Sequence, residues 1–267
     1  MGHTRLGNIP KSQNWTTVIQ MLTPLEGEAG DVSVDDNIEQ IAAETLNATQ
    51  ESLQAAINDL GLRYTFYLLA RVVLASRSDD WLVRLQSLGI HINKDDSLLE
   101  FTSEFQGAID DYLLRHRYSS DISEIAQQAA GEALSELVTP RAFTLFGAGA
   151  EDLKLAIRDI STKNGFAKLG QKFFGTFISR YINFYVSRVT ATQLGSSLIP
   201  DVGELTRFND ALQLHCEQSA KIVHDFSGEW YSKTEYKEGI NLDNTARFIA
   251  VALKKLQAEL GMQEADL

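Results

Sequence analysis

Apolar residues recur at intervals of three and four along most of the chain, with polar positions between them. This spacing is that of one face of an α-helix, which turns once in about 3.6 residues. No segment of useful length alternates apolar and polar residues as a half-buried strand would. The pattern therefore predicts an all-α fold of roughly nine or ten helices.

One segment, 164–189, is apolar on most of its sides rather than on one. Its aromatic residues are Phe166, Phe173, Phe174, Phe177, Tyr181, Phe184 and Tyr185. A helix that is apolar nearly all round is usually buried in a larger core. Because each buried aromatic side chain contributes roughly 1.5–3 kcal/mol, we expect a single irregular bundle of helices packed around this central aromatic helix.

Helix-start residues and glycine or proline stop signals mark the other helices. We expect these helices at about 15–22, 36–59, 62–75, 79–88, 96–112, 121–137, 150–160, 204–226 and 243–260. Gly228 is interpreted as a helix end. The stretch 228–241 lacks a clear period, which predicts a long connection before the last helix.

Composition suggests where the helical part begins and ends. Residues 1–14 are polar, lack periodicity and contain Pro10, so we expect a flexible N-terminal arm, and we expect 263–267 to fray. Residues 15–262 then form a single helical domain. A glycine-rich connector leaves open the alternative of a subdomain boundary near 140–149.

The chain is acidic, with a net charge of -12 from 36 acidic and 24 basic residues. This balance argues against a surface that is basic throughout, although it allows a local basic patch. The one cysteine, Cys216, excludes an internal disulfide and suits a reducing compartment. No run approaches the ~18 apolar residues that cross a membrane, and the first residues lack the apolar core of a signal peptide. We therefore expect a cytoplasmic protein without a membrane span.

Charge is unevenly distributed along the chain. The span 23–60 contains acids without a single base, whereas 160–200 contains bases without a single acid. The basic residues along the aromatic helix are Lys163, Lys168, Lys172, Arg180 and Arg188. Positive charge beside Phe and Tyr is what phosphate attraction and base stacking require, so nucleic-acid binding through 163–188 is one alternative function. The simpler interpretation is a buried helix whose cations reach the solvent.

We find no motif that marks a catalytic, metal or cofactor site. The segment 165–170 resembles the start of a phosphate-binding loop, but Gln171 occupies the position that requires Lys. The His and Glu spacings of helix-borne zinc and di-iron sites are missing. We therefore expect no catalytic residue, metal or cofactor. An enzyme stays an alternative through one polar group of residues, namely His224, Asp225, Glu229 and Lys233.

The stretch 228–241 is the best candidate for contacting a partner. Long connections in a chain of short ones are often functional, and Trp and Tyr dominate binding hot spots. An arm that does not fold alone can also become ordered against a partner. The candidate partner-binding residues are Trp230, Tyr231, Lys233 and Tyr236 in the connection and Arg5 and Lys11 in the arm. The alternative for Trp230 is that it fills a gap in the core.

Our leading hypothesis is a non-catalytic helical subunit or adaptor that acts by protein–protein interaction within a multi-component assembly, a bacterial defence system being one such setting. Its partner would be another protein or a second copy of this chain. The two alternatives are the nucleic-acid-binding protein and the enzyme described above.

Overall fold

The computed structural model describes residues 13–22, 45, 53–54, 56–139, 149–192, 194–195 and 201–262. Within these residues the secondary structure is helical and no strand is formed. The helices are α1 (Gln13–Leu22), α2 (Leu60–Ala75), α3 (Trp81–Ser87), α4 (Leu98–Arg115), α5 (Asp121–Val138), α6 (Ala150–Ile160), α7 (Lys163–Thr192), α8 (Val202–Ser219), α9 (His224–Lys237) and α10 (Leu242–Met262). A 3-10 turn, Ala220–Val223, joins α8 to α9. The predicted all-α fold is thus confirmed for this part of the chain.

The long helix α7 lies at the centre of the bundle, as the sequence predicts. It packs against α1, α5, α6, α8 and α9. Its rings from Phe166 to Tyr181 are fully buried, whereas Phe184 and Tyr185 are half-buried against the same core. The prediction of a central aromatic helix is therefore confirmed.

The Phe66 ring of α2 is the hub of the aromatic core. Its centroid lies between 5.1 and 5.9 Å from the centroids of five other rings, contributed by α7, α9 and α10. These rings are Phe166, Phe173, Phe174, Trp230 and Phe248. Aromatic pairs at such distances contribute roughly 0.5–1.5 kcal/mol each beyond the burial of their area. The cluster therefore joins four helices that are distant in sequence.

A buried carboxylate, Asp59, joins the starts of α2 and α5. It caps α2 by accepting a hydrogen bond from the backbone N–H of Leu62 at 2.8 Å. It also accepts hydrogen bonds from the hydroxyls of Tyr118, Ser120 and Ser123 at 2.8, 2.5 and 3.2 Å. Ser120 is itself the N-cap of α5. One charged group thus fixes the relative position of two helix N-termini, where a negative charge is favourable.

The prediction of a long connection at 228–241 is wrong for most of that stretch, which is helical up to Lys237. The helix predicted at 204–226 ends at Ser219, and after the 3-10 turn α9 runs from His224 to Lys237 with Gly228 inside it. A Cβ on Gly228 would lie 2.5 Å from the carbonyl oxygen of Lys163 and 3.0 Å from the Cβ of Ala167. Gly228 is therefore present because α9 approaches α7 closely, and it does not end a helix.

Some predictions lie outside the described residues. These are residues 1–12 of the arm with Arg5 and Lys11, the connector 140–148, much of the helix predicted at 36–59, and the tail 263–267. They stay predictions, as does the number of domains. Among the described helices, none combines the length and the apolar character that crossing a membrane would require.

Candidate functional site

The inner face of α9 is anchored in the core by two adjacent rings. The Tyr231 ring is fully buried and stacks on Phe166 with the centroids 4.0 Å apart and the planes 6° apart. Trp230 is half-buried and stacks on Phe248 with a centroid distance of 4.4 Å. Both residues were predicted to bind a partner, and the structure places both against the core. They hold α9 in place, which matches the gap-filling alternative for Trp230.

The outer face of α9 carries the other two predicted partner-binding residues of this stretch. Tyr236 is 91% exposed and the side chain of Lys233 is 67% exposed. With Glu229 they follow the spacing of four and three that places residues on one side of a helix. Lys233 Nζ donates to Glu229 Oε2 at 2.8 Å. We define Glu229, Lys233 and Tyr236 as the outer face of α9.

The residues of the enzyme alternative form two separate pairs. His224 Nδ1 lies 2.7 Å from Asp225 Oδ1, while Glu229 pairs with Lys233 further along the helix. The hydrogen bond from Lys233, with the charges of Lys233 and Lys163, lowers the pKa of Glu229, so its carboxylate stays ionised. A general acid needs the opposite shift. None of these four residues lines either of the two cavities described below.

The basic residues of α7 are opposed by acids from neighbouring helices. Lys172 Nζ lies 2.6 Å from Glu136 Oε2 of α5 and 3.2 Å from Glu217 Oε1 of α8. Arg180 Nη2 lies 2.6 Å from Glu132 Oε2 of α5. These pairs join α5, α7 and α8. Lys172 and Arg180, two of the five basic residues of the nucleic-acid alternative, are thus paired with acids in the folded chain.

The ion pairs around Lys172 shift the pKa values of their members. Burial alone would lower the pKa of Lys172, but Glu136 and Glu217 outweigh it and raise the pKa. Burial alone would raise the pKa of Glu217, but Gln213 and Lys172 together lower it. Both shifts favour the charged forms, as expected for an ion pair that stabilises the fold.

The remaining basic residues of the nucleic-acid alternative differ in their surroundings. Lys163, at the start of α7, lies 3.8 Å from Glu229 of α9, and Lys168 is exposed. The side chain of Arg188 lies outside the described residues. A continuous basic surface along α7 is therefore not formed by the side chains that are described.

An open polar groove of about 720 Å³ lies between α5, α7 and α8. Its size is within the range of ligand-binding sites, roughly 300–1,000 Å³. Its polar lining includes Gln128, Glu132, Arg180, Asn183, Asn209 and Gln213. Sequence reasoning missed this groove because each of the three helices contributes an ordinary polar face, and only their packing brings the faces together.

A second, smaller cavity of about 380 Å³ lies between the end of α2, α3 and α9. Its lining includes three arginines, Arg71, Arg77 and Arg84, and one acid, Glu235. Sequence reasoning did not single out these arginines, because their spacing along the chain matches no known motif. Among the described residues, no three His, Cys, Asp or Glu side chains gather closely enough to hold a metal ion.

Comparisons of the chain with protein-family models, with curated proteins and with solved structures find no match. The function proposed for this chain therefore rests on its own geometry.

Proposed function

We propose that this protein is a non-catalytic helical subunit or adaptor that binds another protein through the outer face of α9. The observation that carries the proposal is the Tyr236 ring, which is 91% exposed on a helix whose opposite side is packed in the core. Tyrosine is enriched in binding hot spots because it combines a large apolar ring with a hydroxyl and few rotatable bonds.

The anchoring of α9 supports this proposal. Trp230 and Tyr231 pack against rings of α7 and α10, and Arg77, just after the end of α2, pairs with Glu235 at 2.6 Å. A surface presented on such a fixed helix loses little conformational entropy when a partner binds. Lys233 and Glu229, beside Tyr236, provide opposite charges for orienting that partner.

The two alternative functions have less support. Nucleic-acid binding through α7 needs free cations, but Lys172 and Arg180 are engaged by glutamates. An enzyme would need His224 and Glu229 to meet in a pocket, but they belong to separate pairs on α9. We also infer a cytoplasmic setting, which a chain with a single cysteine suits.

The proposal is tested by affinity capture of the intact chain from its own host, followed by quantitative mass spectrometry. We expect Tyr236→Ala to lower the recovery of a specific partner about tenfold, as the loss of a hot-spot residue would. Leu99→Ala is the control, because Leu99 is also an exposed large apolar side chain, 76% exposed on α4 and away from the outer face of α9. Undiminished recovery with Tyr236→Ala would refute the assignment of this surface.

A second copy of the chain is the other partner considered, and it needs a separate measurement. Light scattering during size-exclusion chromatography gives the mass of the particle in solution. If the outer face of α9 joins two copies, the wild type has the mass of a dimer and Tyr236→Ala that of a single chain. A dimer that survives Tyr236→Ala would place the contact between copies elsewhere.

A further inference from the structure

We propose that the cavity between α2, α3 and α9 binds a small ligand that carries a phosphate group. We define this arginine pocket by its polar lining, which is Arg71, Arg77, Ser78, Arg84, Ser87 and Glu235. The proposal goes beyond the adaptor function, and Tyr236 is not part of the lining, so either proposal can fail without the other.

The charge of the arginine pocket is opposite to that of the chain as a whole. The chain has a net charge of -12, whereas the lining has three guanidinium groups and one carboxylate. Glu235 already forms an ion pair with Arg77, since its Oε2 lies 2.6 Å from Arg77 Nη1. Arg84 pairs with Asp80 outside the lining, so Arg71 is the one guanidinium of the lining without an acidic partner among the described residues. An anion would neutralise this charge.

Arg77 forms a fixed wall of the pocket. One terminal nitrogen donates to Glu235 and the other to the backbone carbonyl of Ser161. Its guanidinium also lies over the Tyr231 ring, 5.3 Å from the centroid. These contacts join the end of α2 to α9. The hydrogen bonds of Arg77 therefore stabilise the fold, and its positive charge lies in the wall of the pocket.

Arg71 and Arg84 have donors to spare among the described residues. Arg84 uses Nε to pair with Asp80 at 3.1 Å, and both of its terminal nitrogens lack a described partner. Arg71 donates through Nη1 to the carbonyl of Ile240 at 3.3 Å. A guanidinium has five N–H donors in a planar fork, so each side chain retains the geometry that binds two oxygens of one anion.

The size and lining of the pocket favour a phosphate ester over a simple carboxylate. Two guanidinium forks match a doubly charged group with three free oxygens better than a carboxylate, which one fork satisfies. At about 380 Å³ the cavity is within the range for small-molecule ligands. Leu74, Ala75 and Leu88 also line it, which provides apolar surface for the organic part of the ligand.

The test is isothermal titration calorimetry of the full-length protein with inorganic pyrophosphate at low, constant ionic strength. We expect saturable binding at one site that weakens as salt is added. Arg84→Gln and Arg71→Gln should each weaken it about tenfold, because each removes a charge and its hydrogen bonds. Absence of saturable binding by the wild type would overturn the proposal.

Arg207→Gln is the matched control. Arg207 is also an exposed arginine with an acid one turn away, since its Nη2 lies 2.7 Å from Glu204 Oε1, but it is on α8 and outside the arginine pocket. We expect Arg207→Gln to bind pyrophosphate as the wild type does. An equal loss in Arg207→Gln and Arg84→Gln would show that binding follows overall charge, and it would overturn the assignment to this pocket.

Two further measurements sharpen the assignment. Glu235→Gln removes the one negative charge of the lining, so we expect pyrophosphate to bind several-fold more tightly, and a weaker binding would contradict the proposed site. A second arm replaces pyrophosphate with phosphatidylcholine vesicles that contain phosphatidic acid. Recruitment of the wild type but not of Arg84→Gln to these vesicles would identify a lipid headgroup and overturn the small soluble ligand.

Discussion

The Phe177 ring of α7 is fully buried, with its centroid 6.3 Å from that of Phe173 and 6.0 Å from that of Tyr181. Phe177→Ala should lower the free energy of unfolding by about 3–5 kcal/mol, because the close-packed core would retain a cavity. Urea unfolding followed by circular dichroism measures this change. Tyr236→Ala is the control, since an exposed ring contributes within about 0.5 kcal/mol. An unchanged midpoint for Phe177→Ala would contradict its burial.

Cys216 is fully buried in α8, and burial, with the nearby charge of Glu217, raises the pKa of its thiol. The reactive thiolate is therefore suppressed in the folded chain. We expect the native protein to resist a disulfide exchange reagent at about pH 8 and the unfolded chain to react with one equivalent. Rapid labelling of the native protein, read from absorbance, would show that the thiol is accessible.

Helices α7 and α9 pack with almost no space between their backbones. A Cβ on Gly170 of α7 would lie 2.4 Å from the Oγ and 2.5 Å from the Cβ of Ser227 in α9. Ser227 is fully buried, so it has no free space into which to move. We expect Gly170→Ala to destabilise the protein by about 1–3 kcal/mol, as overpacking does, and thermal unfolding measures the loss.

Two glycines provide controls for Gly170→Ala. A Cβ on Gly175, also in α7, would meet Ala220 at an ordinary 3.4 Å, and one on Gly107 of α4 would meet nothing within 4 Å. Gly107→Ala should stabilise the protein by roughly 0.5–1 kcal/mol through helix propensity. Adding Ser227→Gly to Gly170→Ala should recover part of the loss. If the two substitutions were simply additive, the contact between α7 and α9 would not be the cause.

At the level of helices, periodicity predicted most elements but not the course of the chain after α8. The rings of α7 recur on nearly all its sides, so only burial could satisfy them, and the structure confirms this. In α9 the buried positions include Ser227, Gly228 and Thr234, which are small or polar. Ser227 and Gly228 are buried because α7 approaches closely. Such a close approach leaves no apolar period in the sequence.

For the whole molecule, the ion pairs that join α5, α7 and α8 make stability depend on pH. The pKa of Glu217 is lowered from its usual 4.5 in the folded chain. Above pH 4.5 the full contribution of Glu217 to stability is present. This contribution is lost as pH falls through the pKa of the folded chain, because the unfolded chain binds the proton first. We therefore expect the melting temperature to fall in acid, as measured by calorimetry.

The loss of stability at alkaline pH follows from groups whose pKa is raised in the folded chain. The pKa of Lys172 is raised from its usual 10.5, and burial raises the pKa of Tyr231 from its usual 10.0. Each group contributes its full stabilisation below its usual pKa. This stabilisation is lost as pH rises through the pKa of the folded chain, because the unfolded chain releases the proton at a lower pH than the folded chain does. In Lys172→Met, Glu217 has no partner, so we expect stability to fall less steeply as the solution becomes acidic. The loss of stability at alkaline pH that is due to Tyr231 should remain. A pH profile identical to the wild type would contradict the role of Lys172.

The order of residues along the chain was enough to predict an all-helical fold and the burial of α7, because helical periodicity and the cost of exposing many rings are local properties. Trp230, Tyr231, Lys233 and Tyr236 stay predicted contacts, and the sequence did not separate the exposed Lys233 and Tyr236 from the two residues that pack against the core. That separation depends on the side of α9 that meets α7 and α10. The glutamates that engage Lys172, the polar groove and the arginine pocket likewise arise from packing, since distances between helices far apart in sequence leave no pattern along the chain.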